Sequence, residues 1–462
     1  MKTEVDYIPF VESGAYPLRK GNLVRPLVDG EPAFRRICQA VEGARSSVWV
    51  TVAFIRRDVQ MPDEHGSFFD VLDRAVSRGL DVRVLFWRAQ REPERPDLAA
   101  STFSGTEEER SWLRERGSSF LARWDYLPGG YCHHQKSWIV DAGEPSEVAF
   151  VGGINLQPAS VVPPGHPPRD GGNTHDIYVE VRGPAATDVH HNFVQRWNEA
   201  SERGLEDGSW PDGETPNDLP FPTASSSATG NVPIQITRTV RSGRYSNTIA
   251  TPGGEPYPVD DGEGSILDQY IAAIDAARRS IYIENQAIGS PQIVDRLEAA
   301  LQRGVEIVFL VPGQAPAEFQ AAKADQRAAA FLEKIVGLGT YNNFTLAGIA
   351  GSREPGRYDE IYAHVKAALV DDAWATIGST NIANRSFYRD SELNASFWHH
   401  ETVHALRVEL LREHLGVDTA NVDDRGALQL YRDAAHANSA RRASGELMSG
   451  LAYAIDPAEY TK

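Results

Sequence analysis

The chain has 462 residues, 41% hydrophobic and 24% charged, a composition that fits two globular domains or one duplicated domain. Its 46 Lys and Arg against 64 Asp and Glu leave a net charge of −18, which disfavours a general nucleic-acid binder, since phosphate affinity is built from Lys and Arg, but allows a lipid substrate met by a local patch. No run reaches the apolar length of a membrane span, and Met1-Lys2-Thr3-Glu4-Val5-Asp6 lacks the basic-then-apolar layout of a secretory signal, so the reading is a cytoplasmic protein, at most peripheral on a membrane.

After an irregular opening, Gly30–Gly43 has a helical pattern with Phe34, Ile37 and Val41 on one face. A buried-strand run follows at 48–55, a helix around 68–78, a strand at 82–86, a charged helix near Glu107–Arg116 and an extended run at 120–126. The chain then starts over. Ile266, Tyr270 and Ile274 mark a helix, and Ala277-Arg278-Arg279-Ser280-Ile281-Tyr282-Ile283 matches Ala44-Arg45-Ser46-Ser47-Val48-Trp49-Val50. Ala300-x-x-Arg303-Gly304-Val305-Glu306-Ile307 likewise matches Ala75-x-x-Arg78-Gly79-Leu80-Asp81-Val82.

The offsets are 233 (277 − 44), 225 (300 − 75) and, for the motif below, 230 (364 − 134), so the chain is an internal duplication. Alternating strands and helices predict an α/β fold of two duplicated α-β-α sandwich halves. Each half has a mixed, largely parallel sheet flanked by helices, and a pseudo-twofold axis relates the two. Residues 1–206 form the first half, 207–263 a Pro-, Gly- and Ser-rich linker with surface loops, and 264–462 the second half. Residues 157–172 carry five prolines and read either as a loop overhanging the neighbouring motif or as an ordinary surface insertion.

The polar constellation that recurs is His134-x-Lys136 with Asp141, trailed by Gly152-Gly153-Ile154-Asn155. Its second copy is His364-x-Lys366 with Asp371, trailed by Gly378-Ser379-Thr380-Asn381. One copy is a weak signal; two at a constant offset argue for one composite site. Residues two apart on a strand share a face, so each His lies beside its Lys. Packed about a twofold axis, the halves would bring two imidazoles, two lysines and the Asn155 and Asn381 amides around one point. No metal-ligand set and no cofactor is implied. Such a cluster suits a phosphate whose charge grows in the transition state, with one His attacking phosphorus and the other protonating the leaving oxygen.

A nucleophilic His needs its second nitrogen anchored by a carboxylate, and Asp176 and Glu392 stand at comparable places before strand-like runs. Asp141 and Asp371 lie seven residues after their histidines, an odd separation that turns them away; they are read as structural. His133, His175, His190, His191, His399 and His400 are read as satisfied or surface histidines, His175 being the least settled. Cys38 and Cys132 are too far apart for a metal-type spacing, and Cys132 is read as a small filler.

On these residues the sequence resembles the phospholipase D superfamily, over roughly residues 20–420. Tyr282-Ile283-Glu284-Asn285-Gln286, Ile377 to Ser386, Arg389-Asp390-Ser391-Glu392 and Leu411-Arg412-Glu413-His414-Leu415-Gly416 are similar to the eukaryotic-type core. The resemblance implies His134 as nucleophile, His364 as general acid and then base, and Lys136, Lys366, Asn155 and Asn381 as phosphate ligands. Asp176 and Glu392 would orient the histidines, with the pairing left open. It implies hydrolysis of a glycerophospholipid such as phosphatidylcholine at a membrane surface, through a phosphohistidine, with water or an alcohol as acceptor. The segment before residue 30 is too short for the calcium- or lipid-binding domains of many such proteins, so no calcium dependence of that kind is expected. Ala287-Ile288 stands where an aromatic pair is usual, which bears on headgroup and acyl-chain preference. The other readings are a phosphatidyltransferase of the cardiolipin- or phosphatidylserine-synthase kind and a nucleic-acid phosphodiesterase, which the charge disfavours. A non-catalytic binder is disfavoured by the two intact His-Lys pairs.

Overall fold

Short runs of Val, Ile, Leu and Phe in this chain are buried on both faces, and helices with one apolar stripe cover them. The computed structural model describes residues 7–89, 100–201, 217–315 and 326–461. The strands of the first half are β1 (Arg19–Val28), β2 (Ser47–Val52), β3 (Asp81–Arg88), β4 (Leu121–Tyr126), β5 (Ser137–Val140), β6 (Val148–Gly152), β7 (Asn173–His175) and β8 (Ile177–Arg182). They assemble, β7 apart, in the order β4-β3-β2-β5-β6-β8-β1; β2, β3 and β4 are mutually parallel and the remaining pairs antiparallel.

The second half supplies β9 (Val232–Thr239), β10 (Ser280–Asn285), β11 (Ile288–Gly289), β12 (Glu306–Leu310), β13 (Phe344–Glu354), β14 (Arg357–Ala363), β15 (Lys366–Val370), β16 (Trp374–Gly378), β17 (Ile382–Ala383), β18 (Glu392–Phe397) and β19 (Ala452–Ala454). Its sheet runs β13-β12-β10-β15-β16-β18-β9, the same order and the same parallel block of three. The mixed α/β architecture and the duplication are thus both present. The two sheets join where β1 pairs antiparallel with β9, Arg19 opposite Ile234 and Asn22 opposite Val232.

β9 corrects the reading of residues 207–263 as linker. Val232, Ile234 and Ile236 are 5%, 0% and 0% exposed, and residues 234–239 pair with the full length of β18. The period-two pattern of Val232-Pro233-Ile234-Gln235-Ile236 is that of a strand, but the Pro, Gly and Ser around it mask it. The expected boundary at 206/207 lies outside the described residues.

Each sheet packs its outer face against its own helices. Gly30–Gly43 and Phe68–Ser77 cover the first. Ser265–Ala276 and Pro291–Gln302 cover the second. The inner faces share one core, in which Ile139, Val151 and Val179 lie in the same cluster as Ala367, Ile377 and Leu393, closed by the helices Ala186–Asn198, His400–Leu415 and Asp424–Ala443. No helix among the described residues is long and apolar enough to cross a membrane.

Two strand contacts carry each half into the other. β14 runs parallel to β7, with Ala363 beside His175. His133 forms an isolated parallel bridge to Ser391. These are the same contact repeated, and both lie at the His-x-Lys stretches.

Candidate active site

His134 and Lys136 precede β5, and His364 and Lys366 straddle the start of β15. The His134 N–H donates to Ser391 O at 2.9 Å, and the His364 N–H donates to His175 O at 2.9 Å. Ser391 and His175 each precede a carboxylate, so this backbone contact sets each imidazole against an acid of the opposite half. His134 Nδ1 lies 3.1 Å from both carboxylate oxygens of Glu392. His364 Nδ1 lies 2.6 Å from Asp176 Oδ2. The pairing left open by the sequence is therefore crossed: Asp176 meets His364, and Glu392 meets His134.

The turns after β6 and β16 make room for those carboxylates. A Cβ on Gly153 would stand 2.3 Å from Asp176 Oδ1, so that position tolerates no side chain. Its counterpart in the repeat is Ser379, whose hydroxyl donates to Glu392 Oε2 at 2.5 Å. Sequence reading passed over Ser379. The signal was the coupled change of Gly to Ser and Asp to Glu between the two copies.

Lys136 and Lys366 are 3% and 1% exposed, and each ammonium donates to the carbonyl of its own motif histidine, Lys136 at 2.8 Å. Lys366 also donates to Gln286 Oε1 at 3.2 Å. Lys136 stands over the Phe54 ring at 5.7 Å, and that ring meets His134 edge-on at 5.9 Å. Tyr362, 45% exposed, stacks 6.2 Å from the His364 ring. Phe54 and Tyr362 were also missed; both lie outside the repeated motif. Asn155 Nδ2 comes within 3.5 Å of His364 Nε2. Asn381 follows a turn that Asn285 pins by accepting from the Ile382 N–H at 2.9 Å. The side-chain amide oxygens of both Asn155 and Asn381 lack a hydrogen-bond partner.

Burial dominates the electrostatics. It pushes the Asp176 and Glu392 carboxyls up to about 7, with nearby lysines pulling the other way. Burial also brings Lys366 down to about 7, despite Asp176 beside it, and lowers Lys136. His134 and His364 fall well below the usual histidine range, first through burial and then through Lys136 and Lys366. Both imidazoles are thus neutral at pH 7. With Nδ1–H directed at a carboxylate, each carries its lone pair on Nε2, that of His364 beside the Asn155 amide.

Asp141 and Asp371 turn away from this centre. Asp141 Oδ1 accepts from the Arg45 and Ser46 N–H groups at 2.7 and 2.8 Å. Asp371 accepts from the Arg278, Arg279 and Ser280 N–H groups at 2.8, 2.8 and 2.7 Å. They tie the strand end of one motif to the start of β2 or β10. Among the remaining histidines, His133 bridges Ser391 and Asp125, His190 meets Glu147, and His191 meets Tyr16. His399 meets Thr402, and His400 meets the Asp372 carbonyl. His175 is different: its two nitrogens lie 2.8 Å from Asp29 and 3.0 Å from Glu284. Cys38 and Cys132 are both free and buried.

Fold and site define a duplicated α/β protein whose two His-x-Lys motifs and crossed carboxylates build one polar centre. The chain belongs to the phospholipase D superfamily. The family model described as "Phospholipase D" matches residues 165–308, and that described as "Cardiolipin synthase, PLD-like domain" matches residues 270–413. The chain is 24% identical to "Phospholipase D A" of Dictyostelium discoideum over 82% of its own length and 33% of that protein. It is 25% identical to "Phospholipase D beta 2" of Arabidopsis thaliana over 78% of its length and 52% of that protein. It thus spans a third to a half of these two relatives. With "Cardiolipin synthase" of Listeria monocytogenes it shares 23% identity over 88% of its length and 72% of that protein. In fold it is similar to phosphatidylserine synthase of Haemophilus influenzae, with a TM-score of 0.59, 13% identity, and 94% and 98% of the two chains covered.

Proposed function

We propose that the chain is a phospholipase D, cleaving the distal phosphodiester of a glycerophospholipid to phosphatidic acid and free headgroup. The observation that carries this reading is the crossed arrangement: two neutral imidazoles, each fixed at Nδ1 by the other half's acid, beside two buried lysines. His134 Nε2 attacks phosphorus as the bond to the headgroup oxygen breaks, and His364 gives its Nε2 proton to that oxygen. Water then loses a proton to His364 while its oxygen displaces His134 from phosphorus. An alcohol in the place of water gives the phosphatidyl alcohol.

Lys136, Lys366, Asn155 and Asn381 hold the non-bridging oxygens. Burial first, and then Lys366 and Lys136, keep His364 neutral in the free protein. The substrate's negative charge opposes these effects, so binding favours a His364 that takes a proton from solvent and carries it at Nε2 for the step. Support for a lipid substrate comes from exposed Tyr362 and Tyr388, 45% and 47% accessible, one beside His364 and one just beyond Asn381. A cleft of about 510 Å³ between Gly171, Gly172, Pro312 and Tyr362 offers further room. At the His134 side, Arg241, Arg385 and Arg389 surround Tyr131 at 5.3, 5.5 and 5.8 Å, a basic patch on a chain of charge −18.

Phosphatidylcholine vesicles with and without ethanol, and single-stranded DNA offered separately, test the reading. Choline release with phosphatidylethanol formation is expected, and His134→Ala abolishes both; DNA cleavage without lipid turnover sinks it. A second reading, a phosphatidyltransferase, is supported by the match over 72% of a cardiolipin synthase. Phosphatidylglycerol decides between them: conversion to cardiolipin with no choline release from phosphatidylcholine favours the transferase.

A further inference from the structure

Beneath the Asp176 side of the site lies a second polar cluster that the mechanism does not use. Asp29, His166 and His175 are 0%, 2% and 0% exposed, and the Glu413 side chain is 6% exposed. One donor atom from each of the four falls within 4.8 Å of all the others. His175 Nδ1 lies 2.8 Å from Asp29 Oδ1, and His166 Nε2 lies 3.2 Å from that same oxygen. The two ring nitrogens are 3.3 Å apart, and His166 Nε2 is 3.4 Å from Glu413 Oε1. From these distances we infer that Asp29, His166, His175 and Glu413 form a buried structural site for one divalent metal ion of the zinc class.

Zinc bonds of about 2.0–2.2 Å in a tetrahedron put neighbouring ligand atoms roughly 3.3–3.6 Å apart. The three spacings that involve His166, 3.2, 3.3 and 3.4 Å, lie at that range, and the 2.8 Å between His175 and Asp29 would open by a few tenths of an ångström on binding. Two imidazoles with two carboxylates are a donor set that zinc accepts, and a hard cation such as calcium would call for more oxygens. His175 Nδ1, His166 Nε2, Asp29 Oδ1 and Glu413 Oε1 thus form one group of mutually close ligand atoms drawn from both imidazoles and both carboxylates.

Two further observations point to an ion. Asp29 Oδ2 is buried without a hydrogen-bond partner, so protein hydrogen bonds alone do not satisfy this carboxylate. The other nitrogen of His175 lies 3.0 Å from Glu284 Oε2, and Tyr282 donates to Glu284 Oε1 at 2.6 Å. A carboxylate behind the far ring nitrogen is how proteins orient a metal-bound histidine. Binding the ion displaces to solvent whatever protons the four ligand atoms carry in the free cluster.

Such a site ties together four separate segments: the end of β1, the proline-rich loop 157–172 through His166, the strand bearing His175, and the helix His400–Leu415 through Glu413. Its effect reaches the catalytic centre through the backbone. Asp29 N–H donates to Asp176 O at 2.9 Å, and His175 O accepts from His364 N–H at 2.9 Å. The sequence implies no metal-ligand set in the repeated motifs, and residues 29, 166, 175 and 413 have no recognisable spacing that would single them out.

Full-length protein freed of any affinity tag is assayed for metal by mass spectrometry and for thermal unfolding. One zinc per chain is expected to survive dialysis. Stripping with 1,10-phenanthroline should lower Tm by about 5 °C, and zinc alone should restore it. Cobalt added to the stripped protein should give the visible bands of a tetrahedral site. His166→Ala, whose residue sits in a loop, should fold yet lose the zinc and the bands, as should Glu413→Gln. A stripped protein that takes up no zinc, shows no Tm shift and gives no cobalt spectrum overturns the site. So does a His166→Ala variant that binds zinc as well as the parent.

Discussion

Asp176 and Glu392 differ by one methylene, yet each ends against Nδ1 of the other half's histidine, because Gly153 lets the short acid lie close and Ser379 steadies the long one. This pairing sets a pH profile. In the free protein both carboxyls titrate near 7, and only their ionised forms hold the Nδ1–H tautomer, so kcat/KM rises with pH through about 7. Lys366 also titrates near 7, and in the proposed mechanism its charged form holds phosphate, so the rate should fall again above that value. A narrow bell centred near pH 7 is expected. Lys366→Arg keeps its charge at all these pH values and should remove the alkaline limb, whatever its rate at the optimum. An alkaline limb that persists in this variant assigns it to another group. Asp176→Asn should cost about 10²–10⁴-fold in kcat and lose its share of the acid limb.

At the scale of elements, the glycines at the ends of β6 and β16 set the limits of substitution. A Cβ on Gly378 would stand 2.1 Å from Asn394 Oδ1 and 2.4 Å from Leu393 O, and the latter is backbone. Gly378→Ala must therefore push β18 and Glu392 outward, costing about 1–3 kcal/mol and most of the activity. Gly337, inside the helix Gln326–Leu338, has nothing within 4 Å of its would-be Cβ. Gly337→Ala should instead add about 0.5–1 kcal/mol, with activity unchanged. Opposite shifts in denaturation midpoint are the check.

Elements whose pattern matches their surroundings were legible in the sequence, among them the helix Gly30–Gly43 and the strands carrying the repeats. β9 was not, since the Pro, Gly and Ser around it mask its Val232-x-Ile234-x-Ile236 alternation. The crossed pairing was not legible either. Strand period tells which side chains share a face, but which half's acid reaches which histidine depends on the β14–β7 contact and the His133–Ser391 bridge. Those are contacts between residues far apart in the chain.

For the whole molecule, crossed carboxylates mean that neither half holds a complete site, and the shared inner core means that neither half closes its own hydrophobic surface. The chain should therefore behave as one cooperative unit despite its duplication. Where the second half begins is the telling point. A fragment starting at residue 264 lacks β9, so β18 becomes an edge and the inner-face residues Leu393, Ala395 and Phe397 lose the neighbours Ile234 and Ile236 supply. A fragment starting at residue 217 keeps β9 against β18. Co-expressed with residues 1–216, the longer fragment should restore activity. Alone, it should be inactive, because His364 has no Asp176 and Lys366 no Lys136 beside it. With residues 1–216 as partner, 217–462 should give a complex that unfolds in one transition by circular dichroism, whereas 264–462 with that partner should aggregate or unfold without one. Equal behaviour of the two fragments would return residues 232–239 to the role of a linker.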